Sequence, residues 1–112
     1  MNEFLLIFRR DYKTKKMQPT GEQLLAHDTR WQDWFNDLGA ENILAWPVQR
    51  LDEKGLVMGP GEAVCYGPYM DMKESVGGII IINAANYETA SKVASQCPVL
   101  ELGGSVEVRK GN

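Results

Sequence analysis

The stretch Gly77-Gly78-Ile79-Ile80-Ile81-Ile82 decides the fold. Four consecutive isoleucines make a strand with no polar alternation, so both of its faces need cover. A second run of the same kind, Phe4-Leu5-Leu6-Ile7-Phe8, opens the chain. Working outward from the isoleucines, Asn86 is placed to cap a short helix on which Tyr87, Ala90, Val93, Ala94 and Cys97 share a face, and Pro98 stops it. The segment Ser105-Val106-Glu107-Val108-Arg109 then alternates as a closing strand.

Upstream, Thr20 with Gln23 three residues later forms a capping box. At about 100° per residue, Leu24, His27, Trp31, Trp34, Phe35 and Leu38 fall on one helical face, and Gly39 offers a left-handed stop. Ile43-Leu44-Ala45-Trp46 begins a strand that Pro47 confines to an edge or a bulge. Val48 and Leu51 carry it into the turn Asp52-Glu53-Lys54-Gly55, where Gly55 can supply positive φ, and Leu56-Val57-Met58 returns. Gly59-Pro60-Gly61 breaks that strand, and Gly67-Pro68 and Gly77-Gly78 read as further turn punctuation. Between first strand and first helix, Lys13, Lys15 and Lys16 follow Arg9 and Arg10. This reads as a solvated, mobile loop rather than an anion-gathering lip.

The order is β-α-β-β-α-β with a central hairpin, an α+β ferredoxin-like plait in one domain over residues 1–112. Two helices cover one face of such a sheet. On the other face, alternate members of both apolar runs remain, and leaving four exposed would forgo roughly 1.5–3 kcal/mol each. A homodimer packed sheet to sheet is the expected remedy; folding of loop 10–20 or of the hairpin over that face is the alternative.

Composition bounds function mainly by exclusion. The 112 residues are 44% apolar and 24% charged, so the chain is a folded domain and not a disordered one. Twelve Lys+Arg against fifteen Asp+Glu give a net charge of −3, no footprint for nucleic acid or an anionic membrane. No apolar run approaches the ~20 residues of a membrane span, and Glu3 stands where a signal peptide has basic residues, so a cytoplasmic protein is expected. Cys65 and Cys97 match no metal spacing and read as two reduced, largely buried thiols. Neither a metal nor a cofactor is expected.

His27, the only histidine, is the one side chain whose charge small effects move across neutral pH. A lone histidine on an apolar face is more often a packing residue than a catalyst. A catalytic role needs a carboxylate, and Asp28 points about 100° away along the helix. Asp52, Glu53, Asp71 and Glu74 are the candidates elsewhere. A small-molecule pocket between the first helix and the sheet would take Trp46, Met58, Tyr66 and Tyr69 as lining.

In the C-terminal half, Tyr66-Gly67-Pro68-Tyr69, Lys73-Glu74, Gly77-Gly78, the isoleucine run, Cys97-Pro98 and Gly103-Gly104-Ser105-Val106-Glu107-Val108-Arg109 follow in an order that resembles the YCII-related family, in particular its DGPF branch. The turn that names the branch carries Tyr66 and Tyr69 here in place of its Asp and Phe. The resemblance implies a ferredoxin-like fold paired as a dimeric α/β barrel. It also implies a pocket in which a His and an Asp meet, for which His27 and Asp52 are the nearest counterparts. Some DGPF proteins are associated with sigma factors, which implies a regulatory or accessory role. Two functions follow as expectations: a homodimeric small-ligand-binding or accessory protein, or a cofactor-independent enzyme using His27 as general acid/base with Asp52 orienting it.

Overall fold

The computed structural model describes residues 1–46, 49–71 and 74–111. In chain order the elements are β1 (Asn2–Arg10), α1 (Gly21–Ala40), β2 (Gln49–Arg50), β3 (Leu56–Met58), β4 (Val64–Tyr66), β5 (Met70–Asp71), β6 (Glu74–Ala84), α2 (Tyr87–Ala94) and β7 (Ser105–Lys110). Single 3-10 turns lie at Lys15–Met17, Pro60–Glu62 and Pro98–Leu102. The main sheet runs β2-β6-β1-β7 with β5 folded back on β6, and each of these pairings is antiparallel. The two apolar runs of the sequence are therefore the two central strands. This is the split β-α-β order of a ferredoxin-like α+β plait.

The register Leu6↔Ile80 and Phe4↔Ile82 puts those four side chains, with Phe8 and Ala84, under the helices. Trp34 and Leu38 of α1, Ala90 and Ala94 of α2, and Cys97 and Val99 close the core from above. Because strand side chains alternate, Leu5, Ile7, Ile79 and Ile81 form one patch on the opposite face, half-buried by their own neighbours. Trp46 stands beside this patch, its indole N–H donating to Glu3 Oε2 at 3.2 Å. Glu107 borders it on β7, paired with Arg9 at 2.5 Å and Arg109 at 3.1 Å. Those two guanidinium hydrogen bonds, Arg109's first, hold the Glu107 carboxyl below its usual range.

Local signals set most boundaries. Thr20 and Gln23 form the reciprocal capping box, and Asn86 Oδ1 accepts from the Thr89 N–H at 2.9 Å. Four expectations need correction. Helix α1 passes through Gly39, whose carbonyl accepts from the Asn42 N–H at 3.1 Å, and Asn42 takes the left-handed conformation at φ 58°. Asparagine tolerates that region, so the reversal falls three residues late.

The chain does not turn back on itself at Asp52–Gly55. Asp52 Oδ1 accepts from the Lys54 N–H at 3.1 Å, a local turn that redirects the chain, and β2 pairs with β6 instead of β3. The tight turn falls at residues 59–63, where Gly61 (φ 69°) and Glu62 (φ 66°) are left-handed and the Gly59 N–H donates to the Ala63 carbonyl at 2.6 Å. Gly77 and Gly78 are not turn residues but lie inside β6, beside the register shift at Phe8/Arg9. Cys97 is buried, but Cys65 is exposed on β4, and both thiols are free. The expected strand break at Pro47, with Val48, and Lys73 of the family pattern lie outside the described residues. Among the described residues no helix is long and apolar enough to cross a membrane.

Candidate functional site

Where β1 diverges from α1, the plait leaves a cavity of about 690 Å³, well within the range of small-ligand sites. Its floor is Phe8 of β1 and Ser75 to Gly78 of β6; one wall is the α1 face with Leu24, His27, Trp31 and Phe35; the other is Arg50 to Glu53. The roof is the basic loop after β1, and it is more constrained than the sequence implies. Asp11 Oδ1 accepts from the N–H groups of Lys13 and Thr14 at 2.8 and 2.9 Å. The Gln18 amide donates to the carbonyls of Asp11 and Thr14 and accepts from Arg10 Nη1 at 3.0 Å.

Tyr12 hangs from this roof with the Arg10 guanidinium 4.2 Å from its ring centre, a cation–π contact. Its ring end rests on Gly77: a Cβ there would lie 1.6 Å from the Tyr12 hydroxyl oxygen. Glycine at 77 is thus required by close approach, one of the reasons strands tolerate it. Burial pushes the Tyr12 hydroxyl up, partly offset by Arg10, so it is a neutral hydrogen-bonding group at physiological pH.

His27 is buried in the α1 wall. One turn on, Trp31 donates its indole N–H to His27 Nε2 at 2.6 Å. An indole can only donate, so Nε2 carries a lone pair and the neutral ring holds its proton on Nδ1. Among the described residues Nδ1 is buried without a hydrogen-bond partner; a carboxylate oxygen, Glu101 Oε2, lies 3.8 Å away and is itself bonded to Arg30. Burial pulls the His27 pKa down, opposed by Glu101 and assisted by Arg30 and Arg10. The ring is therefore neutral at pH 7.

The cavity carries both signs of charge, Arg10 and Arg50 against Asp28, Asp52 and Glu53, with Arg50 Nη2 4.0 Å from Asp28 Oδ1. Its apolar part is aromatic: Phe8 meets Trp31 edge-on at 5.1 Å, and Trp31 lies tilted over Phe35 at 5.2 Å. Such a lining suits a flat organic molecule with a polar end.

His27 and Asp52 both line this cavity. Trp46, Met58, Tyr66 and Tyr69 do not: Trp46 stands beside the open sheet face, Met58 and Tyr66 on the β3–β4 hairpin, Tyr69 beyond it, and all four are exposed. Among the lining residues that sequence reasoning missed are Tyr12, Arg50 and Ser75, and Arg10 was read only as the start of a solvated loop. Glu101, outside the lining, was missed as well. Tyr12 within a basic run, opposite a pair of glycines in a strand, was the one readable signal. Glu101 gave none, since Arg30 and Glu101 are 71 residues apart.

No curated protein sequence matches the chain. Among similar solved structures is the 5-chloro-2-hydroxyhydroquinone dehydrochlorinase TftG of Burkholderia phenoliruptrix AC1100, in complex with 2,5-dihydroxybenzoquinone. It shares 17% identity over 97% of this chain and 93% of its own, with a TM-score of 0.49. The YCII-related domain model matches residues 6–110, nearly the whole plait from β1 to β7, and the chain belongs to the YCII-related domain family.

Proposed function

We propose that this chain is a homodimeric protein that binds a small organic molecule in the aromatic cavity between α1 and the sheet, acting as a ligand-binding accessory protein. The observation that carries the reading is the 690 Å³ cavity with its aromatic wall of Phe8, Trp31 and Phe35 and its polar roof of Arg10 and Tyr12. The homodimer rests on Leu5, Ile7, Ile79 and Ile81, a patch that a second copy would cover sheet to sheet.

A thermal-shift screen of small aromatic acids, phenols and heterocycles tests the cavity. Leu24 lies on its wall yet is exposed, so Leu24→Trp fills the mouth with little cost to the fold. Compounds that raise Tm in wild type should lose most of that effect in Leu24→Trp. Equal shifts in both proteins would place the ligand elsewhere. Light scattering that finds a stable monomer at micromolar concentration would remove the dimer.

A second reading keeps His27 as a general base with Asp52 orienting it, because both line one cavity and the ring is neutral at pH 7. It requires Trp31 to release Nε2 when substrate arrives. The binding reading needs no such rearrangement and is preferred.

A further inference from the structure

Strands β3 and β4 pair only with each other among the described residues, and the ribbon they form stands off the main sheet. In the register Leu56↔Tyr66, Val57↔Cys65 and Met58↔Val64, opposite residues share a face. One face is therefore Leu56, Met58, Val64 and Tyr66, all apolar and between 40% and 89% exposed. The other face holds Val57 and Cys65. A lone two-stranded ribbon is marginal in water, and this one presents its apolar face to solvent.

The whole chain shows the same excess. Its accessible surface is 7911 Å², about 1,700 Å² above the roughly 6,200 Å² of a monomer of this mass. The radius of gyration is 15.2 Å, where a compact chain of this length has about 13 Å. Two copies with that excess have about 3,400 Å² to cover, within the 2,000–5,000 Å² of obligate homodimers. Ribbon and sheet patch are two separate uncovered apolar faces on one chain. A two-fold axis lets one partner serve both, because the sheet patch packs on its own copy across the axis while each ribbon's contact is repeated on the other chain.

We propose that the β3–β4 hairpin is an arm that each chain lays, apolar face down, on a second copy of the chain. The arm clasps the flank of the sheet-to-sheet dimer. The proposal rests on the homodimer proposed above and adds a part to it: the arm is not a cover for its own chain but a contact in trans. Met58 and Tyr66, which stand away from the cavity of their own chain, take their packing from the partner.

Cys65 supplies the test. It is exposed on the ribbon's other face, whereas burial pushes the Cys97 thiol up to about 12, so a maleimide photocrosslinker attaches at Cys65 alone. Nitrogen-14 and nitrogen-15 preparations are mixed, equilibrated, irradiated and mapped by mass spectrometry. Crosslinks from Cys65 that join a light to a heavy chain are expected. Crosslinks confined within single chains, in a sample that light scattering shows to be dimeric, overturn the arm and leave the sheet-face dimer standing; a monomer overturns both. Met58→Glu with Tyr66→Glu should weaken dimerisation at least about 100-fold with unchanged circular dichroism, and Cys65→Glu should leave it unaltered. An unchanged dimer in the double variant also overturns the arm.

Discussion

Replacing Trp31 with Phe tests the assignment on which the chemistry of His27 depends. The substitution keeps an aromatic ring against Phe8 and Phe35 and deletes the N–H that holds His27 Nε2 at 2.6 Å. In wild type that donor forces the neutral ring to keep its proton on Nδ1, although Nδ1 has no hydrogen-bond partner among the described residues. A net worth of about 0.5–1.5 kcal/mol for such a bond corresponds to a factor of about 2–13 in the ratio of the two neutral tautomers. Trp31→Phe should shift the ratio toward the Nε2–H form by that factor. The His27 pKa should rise in the same variant, because Nε2 becomes free to take a proton, while burial still holds it below the ordinary value. Stability should fall by about 1–3 kcal/mol from the orphaned acceptor and the lost ring volume.

The assay is a long-range proton–nitrogen correlation spectrum of uniformly nitrogen-15-labelled protein. His27 is the only histidine, so its two ring nitrogens are assigned without ambiguity. Wild type should show a protonated Nδ1 and an unprotonated Nε2 at pH 7.5. Identical nitrogen shifts in wild type and Trp31→Phe would mean that the indole bond does not set the tautomer, and the account of His27 would fall with it.

Lowering the pH should destabilise the protein in two windows. His27 has a folded pKa below its unfolded value near 6.5, so the unfolded chain takes up a proton first. Stability then falls from about pH 6.5 down to the folded pKa, at up to about 1.4 kcal/mol per pH unit. Glu107, whose carboxyl is held low by Arg109 and Arg9, adds a loss only below about pH 4.5. Urea titrations of His27→Gln should lack the upper window and keep the lower; an unchanged upper window would refute the assignment. Gly77→Ala should cost about 1–3 kcal/mol by driving a Cβ into the Tyr12 ring. That cost should largely vanish on a Tyr12→Ala background, and strict additivity would contradict the contact. Thr20→Ala should lower stability by about 0.5–2 kcal/mol through loss of the capping box, read by chemical denaturation. A disulfide reagent on native protein should titrate one thiol, Cys65, with Cys97 appearing only on unfolding.

The fold was legible because its deciding signals are local or periodic. Ile79 to Ile82 and Phe4 to Phe8 could only be central strands, and the Thr20 and Asn86 caps act over three residues. The cavity was half legible for the same reason: His27, Trp31 and Phe35 share a helical face, so any ligand under α1 had to meet them. The remainder depended on which distant segments meet. Tyr12 reaches Gly77, and Arg30 and His27 reach Glu101, through closures that no window of sequence contains.

The hairpin shows the physical reason most sharply. Several glycines between Gly55 and Gly67 could each reverse the chain, and propensity alone ranks them almost equally. The choice fell to pairing energy. Putting the turn at residues 59–63 lets β2 complete the main sheet against Gly78 and Ile79, at the cost of a ribbon with an uncovered apolar face. Within one chain that outcome trades sheet hydrogen bonds for exposed Leu56, Met58 and Tyr66. In the dimer proposed above a second chain would supply that cover, and one arrangement would then account for both the position of the turn and the surplus surface.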